Sequence, residues 1–203
     1  MLSVKQRQKR LKYIGLYKGE VNGKENKDTK AAYLKLQKKY FPKDEQDGRY
    51  GANTEILLIN AYRVKKYCTH FKLEEFKCEC NGKYCTRYPA KLSKTLLKYA
   101  EKSRKHLGVP MTVTSGLRCP RFNTLCGGAS FSKHKSGKAM DFVSDKTKTF
   151  SQRKSFIKWF IKLVSSTYAY TYKYGKTKTS TFKGSHPSCN YPEMGNAIHI
   201  DVK

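Results

Sequence analysis

The sequence predicts an α+β fold on three observations. Helical-period apolar patterns fill the first third of the chain. Short stretches with period-two alternation recur through the remainder, and two longer helical patterns separate them. Helices alternating with short strands that return to one sheet give α+β. At 203 residues the chain is long enough for one large domain or two small ones. The expected division is a small three-helix module over residues 1–66, followed by a larger domain over 67–203 with a mostly antiparallel sheet and flanking helices.

Taken in order, Val4 to Ile14 carries Val4, Leu11 and Ile14 behind a basic face. Asp28 or Thr29 can cap a helix running through Tyr40, with Ala32, Leu34, Leu36 and Tyr40 on its buried side. Asn53-Thr54 opens a third helix through Leu57, Leu58, Ala61 and Val64. Between these helices, Gly19-Glu20-Val21-Asn22-Gly23 and Asp47-Gly48-Arg49-Tyr50-Gly51 are turn signals of similar shape. Each is followed by a Thr-led helix, a weak internal repeat in which Gln37 and Tyr50 are assigned no contacts. Residues 65–70 form a basic connector. Pro89 to Leu107 reads as a helix ended by Gly108 and Pro110, and Met111 to Ser115 as a strand. Lys138 to Val143 is a second strand. Phe150 to Val164 is a helix whose stripe is Phe156, Phe160, Ile161 and Val164, with Trp159 at its edge. Tyr168 to Tyr174 reads as one strand with an aromatic face, and Ile198 to Val202 as the last.

Two strands carry the chemistry. Ser132-Lys133-His134-Lys135-Ser136-Gly137-Lys138-Ala139-Met140-Asp141 precedes and enters one, and Ile198-His199-Ile200-Asp201 is the other. His134 and His199 offer imidazole nitrogens and Asp141 a carboxylate oxygen. Three ligands of this kind leave the fourth position of a tetrahedral zinc open, as in hydrolytic sites. A lone His beside a Gly is more often a surface residue; a second His inside a terminal apolar strand favours a metal. Gly137 can take a positive φ and turn the chain between His134 and Asp141. Period two puts Ala139 and Asp141 on one face and Met140 and Phe142 on the other. His199 and Asp201 likewise oppose Ile198, Ile200 and Val202.

The pattern Ser-x-His-x-x-Gly-x-Ala-x-Asp, with a later ligand His in an apolar-His-apolar-Asp strand, resembles the zinc D-alanyl-D-alanine carboxypeptidase family. That family sits within a wider group of hedgehog-like and lysostaphin-like zinc folds, the LAS-type metallopeptidases. The resemblance extends through Thr114-Ser115-Gly116-Leu117-Arg118-Cys119-Pro120, Asn123 with Gly127-Gly128-Ala129, and His70-Phe71-Lys72-Leu73-x-Glu75-Phe76. It covers nearly all of residues 68–203. It implies zinc-dependent hydrolysis of an amide in the peptidoglycan stem peptide or cross-link, by a D,D-carboxypeptidase or an L,D/D,D-endopeptidase. Arg118 would hold a substrate carboxylate or the tetrahedral oxyanion, and Ser132 would steady the His134 loop at the substrate's edge. Many members place Glu or Asp three residues before the last ligand His, or His two before it; here Asn196 and Ala197 stand there. Asp201 is then the first candidate for the general base, or else a carboxylate orienting His199, with Glu193 and His186 in reserve. Asp47 to Thr54 also resembles the Asp-Gly-x-x-Gly-x-x-Thr motif of the three-helix peptidoglycan-binding module. Asn22 to Thr29 departs from it, with Asn22 for Asp and Asn26 for the later Gly.

The formal charge of +28, with Lys outnumbering Arg roughly four to one, suits diffuse attraction to polyanions such as anionic wall polymers. Sequence-specific nucleic-acid readers favour Arg forks and stacking aromatics. Evenly spread Tyr argues against nucleic acid as the main partner. The competing readings are a wall-binding protein with a degenerate peptidase domain and a nucleic-acid binder. No apolar h-region follows Met1, so no signal peptide is expected. No apolar run reaches a membrane span either, Ile56-Leu57-Leu58-Ile59 being the longest aliphatic block. The expectation is a monomer made in the cytoplasm that meets the wall after release, as phage endolysins do. The chain has seven Cys, namely Cys68, Cys78, Cys80, Cys85, Cys119, Cys126 and Cys189. An odd number without an export signal argues against a fully paired disulfide framework. Cys78-x-Cys80 with Cys85 and Cys68 suggests a metal knot, but the spacing is not that of a zinc ribbon and reduced thiols are expected.

Overall fold

The computed structural model describes residues 1–164, 169–171, 174–176, 181–182 and 195–203, with 174–176 and 181–182 described by their backbone. Tyr168, His186, Cys189 and Glu193 lie outside the described residues. Helix α1 (Val4–Tyr13) starts on a capping box, Ser3 accepting from the Gln6 N–H and Gln6 from the Ser3 N–H. Helix α2 (Lys27–Tyr40) is capped by Asn26 rather than by Asp28 or Thr29. The Asn26 side-chain oxygen accepts from both the N–H and the hydroxyl of Thr29, each at 2.9 Å. Helix α3 runs from Ala52 to Tyr67.

The internal repeat turns out to have a buried hub in each copy. Gln8 Nε2 donates to Lys24 O at 2.9 Å and to Asn22 Oδ1 and Thr29 Oγ1 at 3.3 Å, while its oxygen accepts from the Gly23 N–H. Gln37 repeats the set on Arg49 O, Asp47 Oδ1, Thr54 Oγ1 and the Gly48 N–H. Both glutamines are essentially inaccessible to solvent, at 0% and 1% exposure, so losing either amide strands polar groups away from water. Gln37→Leu is expected to cost about 1–3 kcal/mol, read as a lower urea midpoint. An unchanged midpoint would show that the hub does not hold the turn.

Asn60, fully buried on α3, accepts from the Leu92 N–H at 2.8 Å and donates to Ala90 O at 2.9 Å. Arg63 adds a bond to Leu92 O. These bonds use the backbone of residues 90–92, so the helix expected from Pro89 begins later, as α4 (Lys94–Leu107) capped by Ser93. One apolar cluster runs from Leu11, Tyr33 and Leu57 through Leu92 and Leu96 to Phe142, Phe160 and Ile200.

The described strands are β1 (Met111–Ser115), β2 (Ala139–Ser144), β3 (Ala169–Thr171), β4 (Tyr174–Lys176), β5 (Thr181–Phe182) and β6 (Ile198–Asp201). They form one antiparallel sheet in the order β1-β2-β6-β3-β4-β5, confirming an α+β fold. A short helix, α5 (Pro120–Leu125), follows β1, and α6 (Phe150–Leu163) buries Phe156, Ile157 and Phe160. The single strand expected over 168–174 is corrected: Thr171 and Tyr174 are cross-strand partners of two separate strands. Alternating Tyr residues fit both strands of such a pair, so the pattern does not mark the reversal. Trp159, at the edge of the α6 stripe, stacks on His106 at 3.7 Å. No described helix is long and apolar enough to cross a membrane.

Candidate metal centre

Register places the site. In β2 and β6, Asp141 lies directly opposite His199, and Ala139 opposite Asp201. A bulge between Val113 and Ser115 brings Ser115 opposite Asp141, and Tyr170 of β3 pairs with His199. A row of Ser115, Asp141, His199 and Tyr170 therefore crosses the sheet, with the Tyr170 ring stacked on His199 at 4.5 Å. His134 arrives from outside the sheet, on a 3-10 turn (Lys133–Ser136) closed by Gly137 at φ 67°. Gly137 is needed twice over, since any Cβ there would also meet Lys91 O at 2.5 Å. The turn is held by the Arg118 N–H on His134 O and the Ser93 N–H on Gly137 O.

Three donor atoms converge. His199 Nδ1 is 2.7 Å from Asp141 Oδ1, His134 Nε2 is 3.2 Å from His199 Nδ1, and His134 Nε2 is 3.4 Å from Asp141 Oδ1. Tetrahedral zinc with bonds of about 2.0–2.1 Å spaces its ligands about 3.3 Å apart, so the triangle fits zinc. All three residues are buried, at 3, 9 and 5% exposure for His134, Asp141 and His199. Their far atoms are engaged as well. His134 donates from Nδ1 to Gly116 O at 2.7 Å, which leaves the Nε2 lone pair facing the other donors. His199 Nε2 faces Asp201 Oδ2 at 3.4 Å. Arg118 reaches Asp141 Oδ2 through one terminal nitrogen and Ser115 Oγ through Nε, both at 2.8 Å.

Electrostatics keep the donors poised. Burial lowers His134, and the nearby Asp141 only partly opposes it. Burial would raise Asp141, but the two imidazoles outweigh it and hold the carboxyl well below its usual range. His199 is raised to about 9, because its bonds to Asp141 and Asp201 outweigh burial. A metal held by the three donors would take the place of the proton on His199 Nδ1.

His134, Asp141 and His199 come together as their pattern suggests, and Arg118 joins them. Ser132 precedes the His134 turn; its carbonyl accepts from the Lys135 N–H, and its hydroxyl makes no capping bond. Asp201 sits beside His199 on the nitrogen turned away from the donor triangle. Ser115, Tyr170 and Glu79 are neighbours that sequence reasoning left out. Ser115 and Tyr170 enter through register, whereas Glu79 sits in an irregular loop. Although Glu79 is an exposed residue, the chain around its carboxyl desolvates it and raises its pKa; Arg118 pulls it down, while Cys78 and Asp141 push it up.

Two metal-capable clusters occur among the described residues: the triad just described, and Cys78, Cys80, Cys85 and Cys119. A comparison with curated proteins finds no match to the chain. Against protein-family models, the stretch that matches contains His134 and Asp141 and stops short of His199, which β6 brings opposite Asp141. Over residues 69–169 the chain matches the family model described as Peptidase M15, which supports placing it with the zinc metallopeptidases of that family.

Proposed function

We propose that the chain is a zinc-dependent peptidoglycan peptidase that hydrolyses an amide in the stem peptide or cross-link, acting as a monomeric lysis enzyme of the endolysin kind. Residues 67–203 would be the catalytic domain and 1–66 a wall-binding module, whose paired Gln8 and Gln37 hubs fit a repeated motif. The charge of +28 adds attraction to anionic wall polymers. The observation that carries this reading is the convergence of His134, Asp141 and His199 in a buried triangle of zinc-ligand dimensions.

Zinc held there supplies Lewis acidity toward a substrate carbonyl and toward water. The chain's own residues do the rest. Gly116 fixes the tautomer of His134, and Asp201 fixes that of His199 from the outer nitrogen, the arrangement by which carboxylates orient ligating imidazoles. Asp201 therefore reads as a positioning residue. Arg118 positions Asp141 by occupying its second oxygen; the same guanidinium borders the site and is the proposed contact for a substrate carboxylate or oxyanion. Ser132 would line the substrate's path beside the His134 turn. Glu79, on the exposed turn between Cys78 and Cys80 and within electrostatic reach of Arg118 and Asp141, is the alternative to Asp201 for accepting a proton from water. Glu79→Gln should keep its zinc and lose about 10²–10⁴ in rate, and a variant at wild-type rate would remove Glu79 from the mechanism.

Amide hydrolysis exposes one new amino group per cut, so the zinc-loaded chain should release amines from purified sacculi. Amine levels equal to those with metal-stripped protein would contradict the proposal.

A further inference from the structure

We propose that Cys78, Cys80, Cys85 and Cys119 hold a second, structural zinc ion, separate from the hydrolytic site and closed to substrate. The four Sγ atoms lie within 4.8 Å of one another, and Cys80 and Cys85 are 3.4 Å apart. A tetrahedral tetrathiolate zinc with bonds of about 2.3 Å has edges of about 3.8 Å, so modest closure of the cluster would seat the ion. All four are free thiols. Cys78, Cys80 and Cys119 are buried and Cys85 half-buried.

What surrounds these sulfurs argues that a metal belongs there. The segment from Lys77 to Tyr88 has no regular helix or strand. It doubles back through two consecutive left-handed residues, Asn81 at φ 53° and Gly82 at φ 96°, with Arg87 at φ 73°. Three backbone bonds close it, from the Cys78 N–H to Arg87 O, from the Asn81 N–H to Cys78 O and from the Lys83 N–H to Cys80 O. Its buried core is separate from the main one and consists of Cys78, Cys80 and Cys119, with Tyr84, Cys85 and Phe122 packed around them. So little hydrocarbon supplies little hydrophobic stabilisation, while positive φ at a non-glycine residue has to be over-determined by its surroundings. A coordinate cross-link meets that need. Two sulfurs also accept backbone N–H groups, Cys78 from Cys119 at 3.3 Å and Cys119 from Phe122 at 3.5 Å. Neutral thiols accept weakly, and thiolates accept well. Four thiolates in tetrahedral reach select zinc over hard cations.

The fourth corner is not where the sequence suggested. Cys68 points its sulfur at Leu97 O, 3.7 Å away, and Cys119, from the Arg118 turn, takes its place. That exchange gives the ion a role. Cys119 follows Arg118 directly and caps α5, and Cys78 and Cys80 flank Glu79. The thiolate site would therefore brace the backbone that carries two groups of the hydrolytic centre.

Zinc content of the full chain, measured by plasma mass spectrometry, separates the two sites. We expect about two zinc ions per wild-type chain. About one should remain in His134→Ala, and about one in Cys80→Ser/Cys85→Ser. Because Cys variants can misfold, the second arm uses folded His134→Ala: a mercurial thiol reagent should release its remaining zinc to a chromophoric chelator. Its cobalt form should show an intense thiolate-to-metal charge-transfer band. Zinc absent from His134→Ala, zinc indifferent to the mercurial, iron in its place, or a Cys80–Cys85 disulfide would each overturn the proposal. A chain whose one zinc survives His134→Ala and leaves with the thiols would support this site while contradicting the hydrolytic one.

Discussion

His134→Ala, Asp141→Ala and His199→Ala should each lose the hydrolytic zinc and at least about 10⁴ in turnover, roughly 5.5 kcal/mol of transition-state stabilisation. That magnitude follows from removing the group that carries charge stabilisation worth several kcal/mol. Asp141→Ala should be the most severe. Besides removing a ligand, it takes away the partner of the Arg118 guanidinium and the carboxylate facing both imidazoles. Far-UV circular dichroism should remain native-like for the histidine variants. A variant that keeps the full zinc complement and wild-type rate would remove that residue from the ligand set.

The second large effect concerns the residues behind the ligands. Asp201→Asn should weaken zinc binding about 10–100-fold, the usual effect of losing such a partner, and recover near wild-type rate at saturating zinc. Full zinc with a rate lowered by about 10²–10⁴ would instead make Asp201 the proton acceptor. Arg118→Lys should weaken zinc similarly, because an ammonium cannot bridge Ser115 Oγ and Asp141 Oδ2 as the planar fork does. Its rate should stay low even when zinc is saturating, reflecting the proposed substrate contact. Protonation provides a further check. In the metal-free chain His199 titrates near 9, above its ordinary 6.5, so its imidazolium stabilises the apo fold below about 6.5, a contribution lost as pH rises through about 9. Zinc must displace that proton, so its apparent affinity should rise about tenfold per pH unit up to that point.

Much of the convergence of His134, Asp141 and His199 was legible because its signals are local. Period two put Asp141 and His199 on defined strand faces, and the glycine after His134 marked a turn. The contacts of Arg118 and Asp201 were not legible. Which nitrogen of His199 meets Asp201 depends on ring orientation, and the reach of Arg118 to Asp141 depends on the bulge before Ser115, neither of which has a local signature. The start of α4 was misplaced for a similar reason: Asn60 captures the backbone of residues 90–92 from another helix. Gln37 could be assigned no contacts from the sequence, because its burial comes from a turn ten residues later that folds over it. Cys119 joined the thiol cluster across a long stretch of chain that spacing rules for adjacent cysteines do not span.

Mass spectrometry of muropeptides tests the central claim most directly. Purified sacculi would be digested with the zinc-loaded chain, with metal-stripped protein and with His134→Ala, and the soluble and residual fragments compared. The zinc-loaded chain should yield fragments gaining one water per cut at a single type of stem-peptide or cross-link amide, restored to the stripped protein by zinc and absent with His134→Ala. Identical fragment profiles from all three would contradict the assignment of His134, Asp141 and His199 to peptidoglycan hydrolysis.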